Sequence, residues 1–335
     1  MRSIQLLSAI SLLIPFSTHA ETPAEGGFTF TYENDVFLNT DRSYTNGVRF
    51  SWISAEEDLP GFIRPLADNL LSPISDSVPF FPKDGKRRVS YAFGQSMFTP
   101  QDITQRTLIT NDRPYAGWLY GSLGYISDNG EHMDALELSI GVVGPASLAE
   151  QTQSYVHREI TGSPIPEGWD NQLDNEPGFV LRYEHKWRNL YEFSPFGLGV
   201  DFTPHMGASL GNVFTHAALG GTARLGYDLP ADYGPPRVRP SISGSDFFIP
   251  TRHVGWYLFA GFEGRAVARN IFLDGNTFGD SHDVDKKHFT GDFQAGIAFT
   301  YKDVRLAYTT VYRTKEYDVQ HGGDRFGALT LSVKF

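Results

Sequence analysis

The last eleven residues of the chain, Arg325 to Phe335, read RFGALTLSVKF. Leu329, Leu331, Val333 and Phe335 alternate with Thr330, Ser332 and Lys334. A period of two sends the apolar side chains to one face of a strand and the polar ones to the other. A flat, apolar edge strand at a terminus invites aggregation, and closure against the first strand of a barrel removes that edge. The alternation recurs upstream. Val254, Trp256, Leu258 and Ala260 oppose Gly255, Tyr257 and Phe259, with aromatics on both faces. The pattern predicts twelve strands, near 27–38, 44–54, 87–98, 116–127, 132–143, 178–192, 197–209, 213–227, 254–268, 289–301, 303–313 and 325–335. An even count of such strands predicts an all-β fold, a single 12-stranded antiparallel transmembrane β-barrel.

With both termini on the periplasmic side, the odd-numbered connections face outward: 39–43, 99–115, 144–177, 210–212, 269–288 and 314–324. Three even-numbered connections are tight turns, Ser127–Glu131, Glu192–Pro195 and Tyr301–Asp303. The other two, 55–86 and 228–253, are long for periplasmic turns, and Leu59–Leu71 could form an amphipathic helix at the membrane interface. One outward loop carries a second helical pattern. Ala146–Ile160 reads ASLAEQTQSYVHREI, without Gly or Pro, after Pro145 and with Ser147 placed to cap it. Gly162 and Pro164 end it. Gln153 and His157, four apart, share one face of this helix.

The N-terminus adds a compartment. Arg2 precedes an apolar run, Ile4 to Phe16, followed by Ser17-Thr18-His19-Ala20. This is the form of a signal peptide, 1–20, cleaved to leave the barrel as 21–335. Without Cys the exported chain has no disulfides. A formal net charge of −11 with scattered basic residues argues against nucleic acid as a partner. The 26 Phe, 16 Tyr and 34 Gly in 335 residues agree with strands that have one polar and one apolar face.

The candidate chemistry gathers at the outward rim. Asn34, Asp35, Tyr44 and Thr45 flank the first hairpin, Asn111–Trp118 (NDRPYAGW) opens the fourth strand, and Gln153 and His157 lie on the loop helix. A neutral imidazole takes a proton from water near pH 7. A hard cation held by carboxylate and carbonyl oxygens stabilises the oxyanion of an ester's tetrahedral intermediate. No G-x-S-x-G elbow supports a serine nucleophile of the α/β-hydrolase kind. Blander roles compete: turn chemistry for Asn34-Asp35, a rim salt bridge for Asp112 and Arg113, and a solvated loop for Asp274, Asp280, Asp283 and Asp285.

The hairpin Glu33-Asn34-Asp35 with Tyr44-Thr45-Asn46-Gly47, the block Asn111–Trp118, the pair Gln153-x-x-x-His157 and the run Gly168-Trp169-x-x-Gln172-Leu173 together resemble the outer-membrane lipid A deacylase family. The resemblance spans the mature chain. It implies a twelve-stranded barrel that hydrolyses the ester of the 3′-linked acyloxyacyl chain of lipopolysaccharide, with calcium as cofactor. It places the family's Asn-Asp pair on Asn34 and Asp35, its hydroxyl on Thr45, and its helix glutamine and histidine on Gln153 and His157. Asp35 is then the candidate calcium ligand. Two positions depart. The family's lysine after the third strand has only Gln105 or Arg106 to land on, and its acid after the histidine falls near Ser163, with Glu159 and Glu167 close by. The reading expects a monomer in the bacterial outer membrane, with the active rim toward the outer leaflet. An outer-membrane phospholipase and a passive pore or structural barrel are the alternatives.

Overall fold

A computed structural model describes residues 26–34, 43–55, 61, 64–66, 69, 73, 85–188, 191–193, 197–238, 245–250 and 252–335, without the side chains of 43–45, 66 and 191–193. Met1–Ala20 lies outside the described residues, as does most of Leu59–Leu71, of which Arg64–Leu66 is helical.

The alternation becomes one antiparallel sheet in chain order: β1 Gly27–Asn34, β2 Ser43–Ile53, β3 Lys86–Thr99, β4 Ala116–Asp128, β5 His132–Val143, β6 Glu176–Trp187, β7 Tyr191–Phe193, β8 Gly199–Gly211, β9 Phe214–Tyr227, β10 Val254–Asn270, β11 Phe289–Tyr301, β12 Val304–Arg313 and β13 Asp324–Lys334. The three-residue β7 pairs with β8 beyond the end of β6, so β6 and β7 are two pieces of one staggered strand and the ring has twelve members. It closes twice. β6 pairs β8, and β1 pairs β13 from Gly27↔Lys334 to Asn34↔Gly327. The final strand therefore has no free edge. No helix among the described residues is long and apolar enough to span a membrane.

Parity sorts the side chains. On β1, Thr29, Thr31 and Glu33 are buried in the lumen, whereas Phe28, Phe30 and Tyr32 face out. On β10, Tyr257, Phe259, Glu263 and Arg265 point in, and Val254, Leu258 and Phe262 are exposed on the outer wall. The lumen is a lattice of ion pairs. Arg49 and Arg182 share Glu137 at 2.7 and 2.9 Å. Arg265 and Arg313 share Asp292 at 2.6 and 2.8 Å. His205 meets Glu263 at 3.1 Å.

The connection 228–253 is no mere turn. Its described residues fold up into the lumen. Asp232, fully buried, pairs with Arg224 of β9 and Arg305 of β12. Arg237 pairs with Glu33 at 2.9 Å, and the Val238 amide donates to the same carboxylate at 3.1 Å. Because Glu33 stands next to the outward end of β1, this plug threads most of the barrel's height. Prolines such as Pro230, Pro235 and Pro236 disfavour a regular element, and the polar backbone is satisfied partly within the plug, as by the Ser245 amide donating to the Gly234 carbonyl, and partly by wall side chains such as Arg305 and Thr330. A cavity of about 50 Å³ remains between plug and wall, lined by Arg49, Glu137, Arg182, Arg237 and others.

Two outcomes test this architecture. The unheated protein migrates apart from the boiled protein on a denaturing gel, since a closed ring in lipid has no unsatisfied edge to open from. Reconstituted in planar bilayers it carries no steady current, and Asp232→Ala lowers its unfolding free energy by about 3–5 kcal/mol in a urea titration, by stranding buried guanidinium groups. A sustained porin-like current in the wild type would mean that the plug does not fill the lumen.

Candidate active site

The register carries one row of residues across the end of the sheet opposite the chain termini. Asn34 pairs with Asn46, Asn46 with Met97, and Met97 with Gly117. Each alternates with a lumen residue, so the row lies on the outer wall, toward lipid. Paired Cβ atoms stand about 4.5–5.5 Å apart, which makes these four positions a continuous strip. Asn46 donates to the Tyr32 hydroxyl at 3.2 Å, while its Oδ1, also buried, has no hydrogen-bond partner. Thr45 is the extra residue of a β-bulge, where the β2–β3 register shifts between Tyr44 and Asn46. Bulges re-aim side chains beside active sites. The side chain of Thr45 and the whole of Asp35 lie outside the described residues.

The loop after β5 descends on this strip. A 3-10 turn, Pro145–Ser147, leads into an α-helix, Ala149–Tyr155, which widens into π turns over Val156–Thr161. Leu148, not Ser147, is the N-cap, and it gives no side-chain cap; Ser147 is buried against the wall instead. Gly162, at φ 70°, closes the C-terminus as the sequence predicts, its amide donating to the His157 carbonyl at 2.9 Å. The approach is close. A Cβ on Gly117 would stand 2.1 Å from Ser147 Oγ and 2.3 Å from the Ala149 Cβ. Only glycine lets the helix lie on the barrel here. Ala149, Gln153 and His157 form its inner face, all at most 4% exposed. Ala149 packs with Met97, Tyr115 and Trp169.

Both helix residues are held by single contacts that leave a working group over. The Trp169 indole N–H donates to Gln153 Oε1 at 2.8 Å, which turns the amide so that Nε2, buried, has no partner. His157 Nδ1 lies 2.6 Å from the carbonyl oxygen of Pro164. A carbonyl only accepts, so Nδ1 carries the proton and Nε2 presents a lone pair. The site therefore offers a donor pair at Gln153 and a proton acceptor one turn further on.

The two departures from the family resolve in part. The orienting partner of His157 is a backbone carbonyl, while Glu159 and Glu167 are exposed and Ser163 is half-buried, bonded to Thr161. Gln105 and Arg106 are exposed in the 99–115 loop, whose backbone accepts from Asn171 at Arg106 and abuts Gly168 at Gln105.

The block Asn111–Trp118 divides. Tyr115 and Gly117 support the helix, but Asp112 and Arg113 turn into the lumen mouth. Arg113, fully buried, pairs with Glu316 at 2.9 Å, and Asp112 accepts from Tyr317, from the Gln101 amide and from the Arg113 amide. This is a buried cap, not an exposed rim salt bridge, and it lies apart from Gln153 and His157. Burial alone would raise the Glu316 carboxyl, but Arg113 and Arg313 more than offset it and hold it below its ordinary range. Burial and the bond to Asp112 push the Tyr317 phenol up. Of the acidic run, Asp274 pairs with Lys286 at 2.7 Å and Asp280, Asp283 and Asp285 are exposed, as a solvated loop would have them.

Sequence reasoning missed two site residues as participants, Asn46 and Trp169. Both stood inside motifs, but their roles depend on cross-strand register and on the fold of a loop.

The family described as "Outer membrane protein LpxR" matches residues 6–335. Among solved structures, "LpxR from Salmonella typhimurium" superposes with a TM-score of 0.73 at 19% identity, covering 92% of this chain and 100% of that one. The beta domain of the Bordetella autotransporter BrkA follows at a TM-score of 0.43 and 10% identity, covering 93% of this chain and 100% of that one. A mutant of the TodX monoaromatic hydrocarbon channel gives 0.38 and 10%, covering 94% and 91%. No curated protein sequence matches the chain.

Gly117→Val displaces the loop helix from the wall and abolishes function at the groove, while the heated and unheated gel bands stay distinct; a folded variant with wild-type activity would dissociate the helix from the site. Glu316→Gln lowers stability at neutral pH. Because the folded-state carboxyl is held below its unfolded value, the wild-type advantage is present above the unfolded pKa and is lost as pH falls through the folded one. Denaturant midpoints of the two proteins should converge in strong acid.

Proposed function

The chain belongs to the LpxR outer-membrane protein family, and on that premise we propose that it is a lipid A deacylase of the bacterial outer membrane. The bond cleaved is the ester of the 3′-linked acyloxyacyl chain. The observation that carries this reading is the pairing, on the lipid side of the wall, of an unpartnered buried Gln153 Nε2 with a His157 whose Nε2 is left as acceptor. An ester carbonyl needs a donor for its oxygen and a base for the attacking water, and the groove offers one of each.

In this mechanism His157 Nε2 takes a proton as water adds to the ester carbonyl carbon. Gln153 Nε2 donates to the oxygen that gains charge. Collapse of the tetrahedral species breaks the bond to the sugar oxygen, which receives the proton from His157. The products are the free 3′-hydroxyl and the released fatty acid.

Calcium fits the donor set. The buried Asn46 Oδ1 is an oxygen acceptor with no donor on it, the kind of group a hard cation takes. Asn34, Asn46 and Asp35 are the residues that would hold the ion, with Thr45 beside them on the bulge. When bound, it would supply a positive charge that polarises the ester and stabilises its oxyanion.

The plug weighs against the passive pore, since the lumen is filled by charged side chains in mutual pairs. The decisive measurement is mass spectrometry of lipid A from cells that express the protein. Wild type removes one acyloxyacyl chain. His157→Ala lowers turnover by about two to four orders of magnitude and leaves the barrel folded. Chelation stops turnover and calcium restores it. Turnover falls on acidification, because a protonated imidazole has no lone pair for the water's proton. Unchanged lipid A with lysed phospholipids would replace this reading by a phospholipase. Full activity in excess chelator would remove calcium from it.

A further inference from the structure

The loop helix has two flanks as well as its inner face. On one side stand Glu150, Ser154 and Arg158, all polar. On the other stand Leu148, 53% exposed, and Tyr155, 61% exposed, with the half-buried Thr152 and Val156 between them. Leu148 also holds a left-handed backbone, φ 60° and ψ 22°. A non-glycine residue in that region costs about 1 kcal/mol or more, and leucine has no polar side chain to compensate locally. The strain displays an apolar side chain outward.

The depth of that side chain follows from a hydrogen bond. Gln95, on the outer wall of β3, donates to the Ser147 carbonyl at 2.6 Å. Gln95 pairs with Leu119 on β4, which pairs with Val142 on β5. The chain therefore dips below the strand ends before the helix begins. Leu148 emerges at the level of wall positions that continue downward into Ile140, 59% exposed, and Phe179 on β6, its cross-strand partner, 48% exposed. These are the side chains that meet lipid.

We propose that the Leu148–Tyr155 flank is seated among the acyl chains of the outer leaflet and sets the depth at which His157 works. An amphipathic helix with this division of faces lies along an interface, apolar side in the acyl boundary and charged side among head groups. With the helix so fixed, the groove between it and the Asn34–Met97 strip opens where head group passes into acyl chain. Ester linkages sit at that level. Substrate in this arrangement is drawn sideways from the leaflet, and the membrane itself completes the positioning of the base. The occupant of the apolar flank is lipid, because the flank is continuous with the lipid-facing column of β5 and β6.

The chain has no Cys, so a single nitroxide can be placed at will. In protein reconstituted in bilayers, labels at Leu148→Cys and Tyr155→Cys are relaxed by dissolved oxygen more than by a water-soluble nickel chelate. A label at Glu150→Cys shows the reverse. Equal nickel access at all three positions would overturn the proposal, whatever the protein's activity. A second arm rests on the deacylase reading. Leu148→Asn keeps the left-handed backbone, which asparagine tolerates, and removes the apolar group. Its turnover on lipid A embedded in bilayers falls about tenfold, in keeping with the transfer free energy of one half-exposed leucine, and recovers on substrate dispersed in detergent. Equal turnover by wild type and Leu148→Asn in bilayers would show that the flank does not set the depth of the site. Inactivity of the wild type itself would count against the deacylase reading and leave the spin-label result standing.

Discussion

The hydrogen-bonded ring is the constraint from which the rest of the molecule follows. In the acyl core there is no water to satisfy a peptide group, and each one left open costs several kcal/mol. The pairing of β1 with β13 removes the last two open edges at once. Closure also freezes parity. Once Glu33 points inward, Asn34 must point outward, and a slip of one residue would exchange them. The position of the candidate site on the lipid side of the wall is thus a consequence of register fixed along the whole of β1, β2, β3 and β4.

Closure creates an interior that must then be filled. A polar lumen with no occupant would leave guanidinium and carboxylate groups facing a narrow column of water. Here many of the described charges instead find counter-charges, and the plug supplies some of them: Asp232 for Arg224 and Arg305, Arg237 for Glu33. Such pairs give little net stability over an apolar filling, but they are costly to break singly. The interior is therefore specific and closed. At the outward mouth the cap of Asp112, Arg113, Glu316 and Tyr317 completes it.

What was legible in the sequence is what repeats. The dyads placed the strands to within a few residues over the described part of the chain, except that 178–192 is two pieces, Glu176–Trp187 and Tyr191–Phe193, and the final strand announced its own closure through Leu329, Leu331 and Val333. The loop helix was legible too, since Ala146–Ile160 lacks Gly and Pro, and with it the shared face of Gln153 and His157. The plug was not. Residues 228–253 have no period, and two of their partners, Glu33 and Arg305, lie far away in sequence. Nor could spacing divide Asn111–Trp118 between lumen and groove, because the division depends on which way the chain turns at Pro114. Asn46 needed the bulge at Thr45 to be known before its face could be assigned.

The hold on His157 shows how a loop can orient an imidazole without a carboxylate. The Pro164 carbonyl fixes the tautomer and the ring plane, as an acid would. It differs in what it does for the charged form. A carboxylate stabilises the imidazolium that appears as water is deprotonated, whereas a neutral carbonyl offers a dipole alone, and charge-assisted hydrogen bonds are roughly twice as strong as neutral ones. Were His157 to act as a base, as proposed, it would be well aimed but weakly supported, and the larger share of the barrier would fall to the donor at Gln153 Nε2. The π turns fit this division of labour. Widening the helix from Val156 onward brings the chain round so that Gly162 turns it back and Pro164 meets the ring of the same helix. Imidazole, aiming group and the turn that joins them are one local segment, and the missing side chain of Gly117 lets that segment lie against the wall.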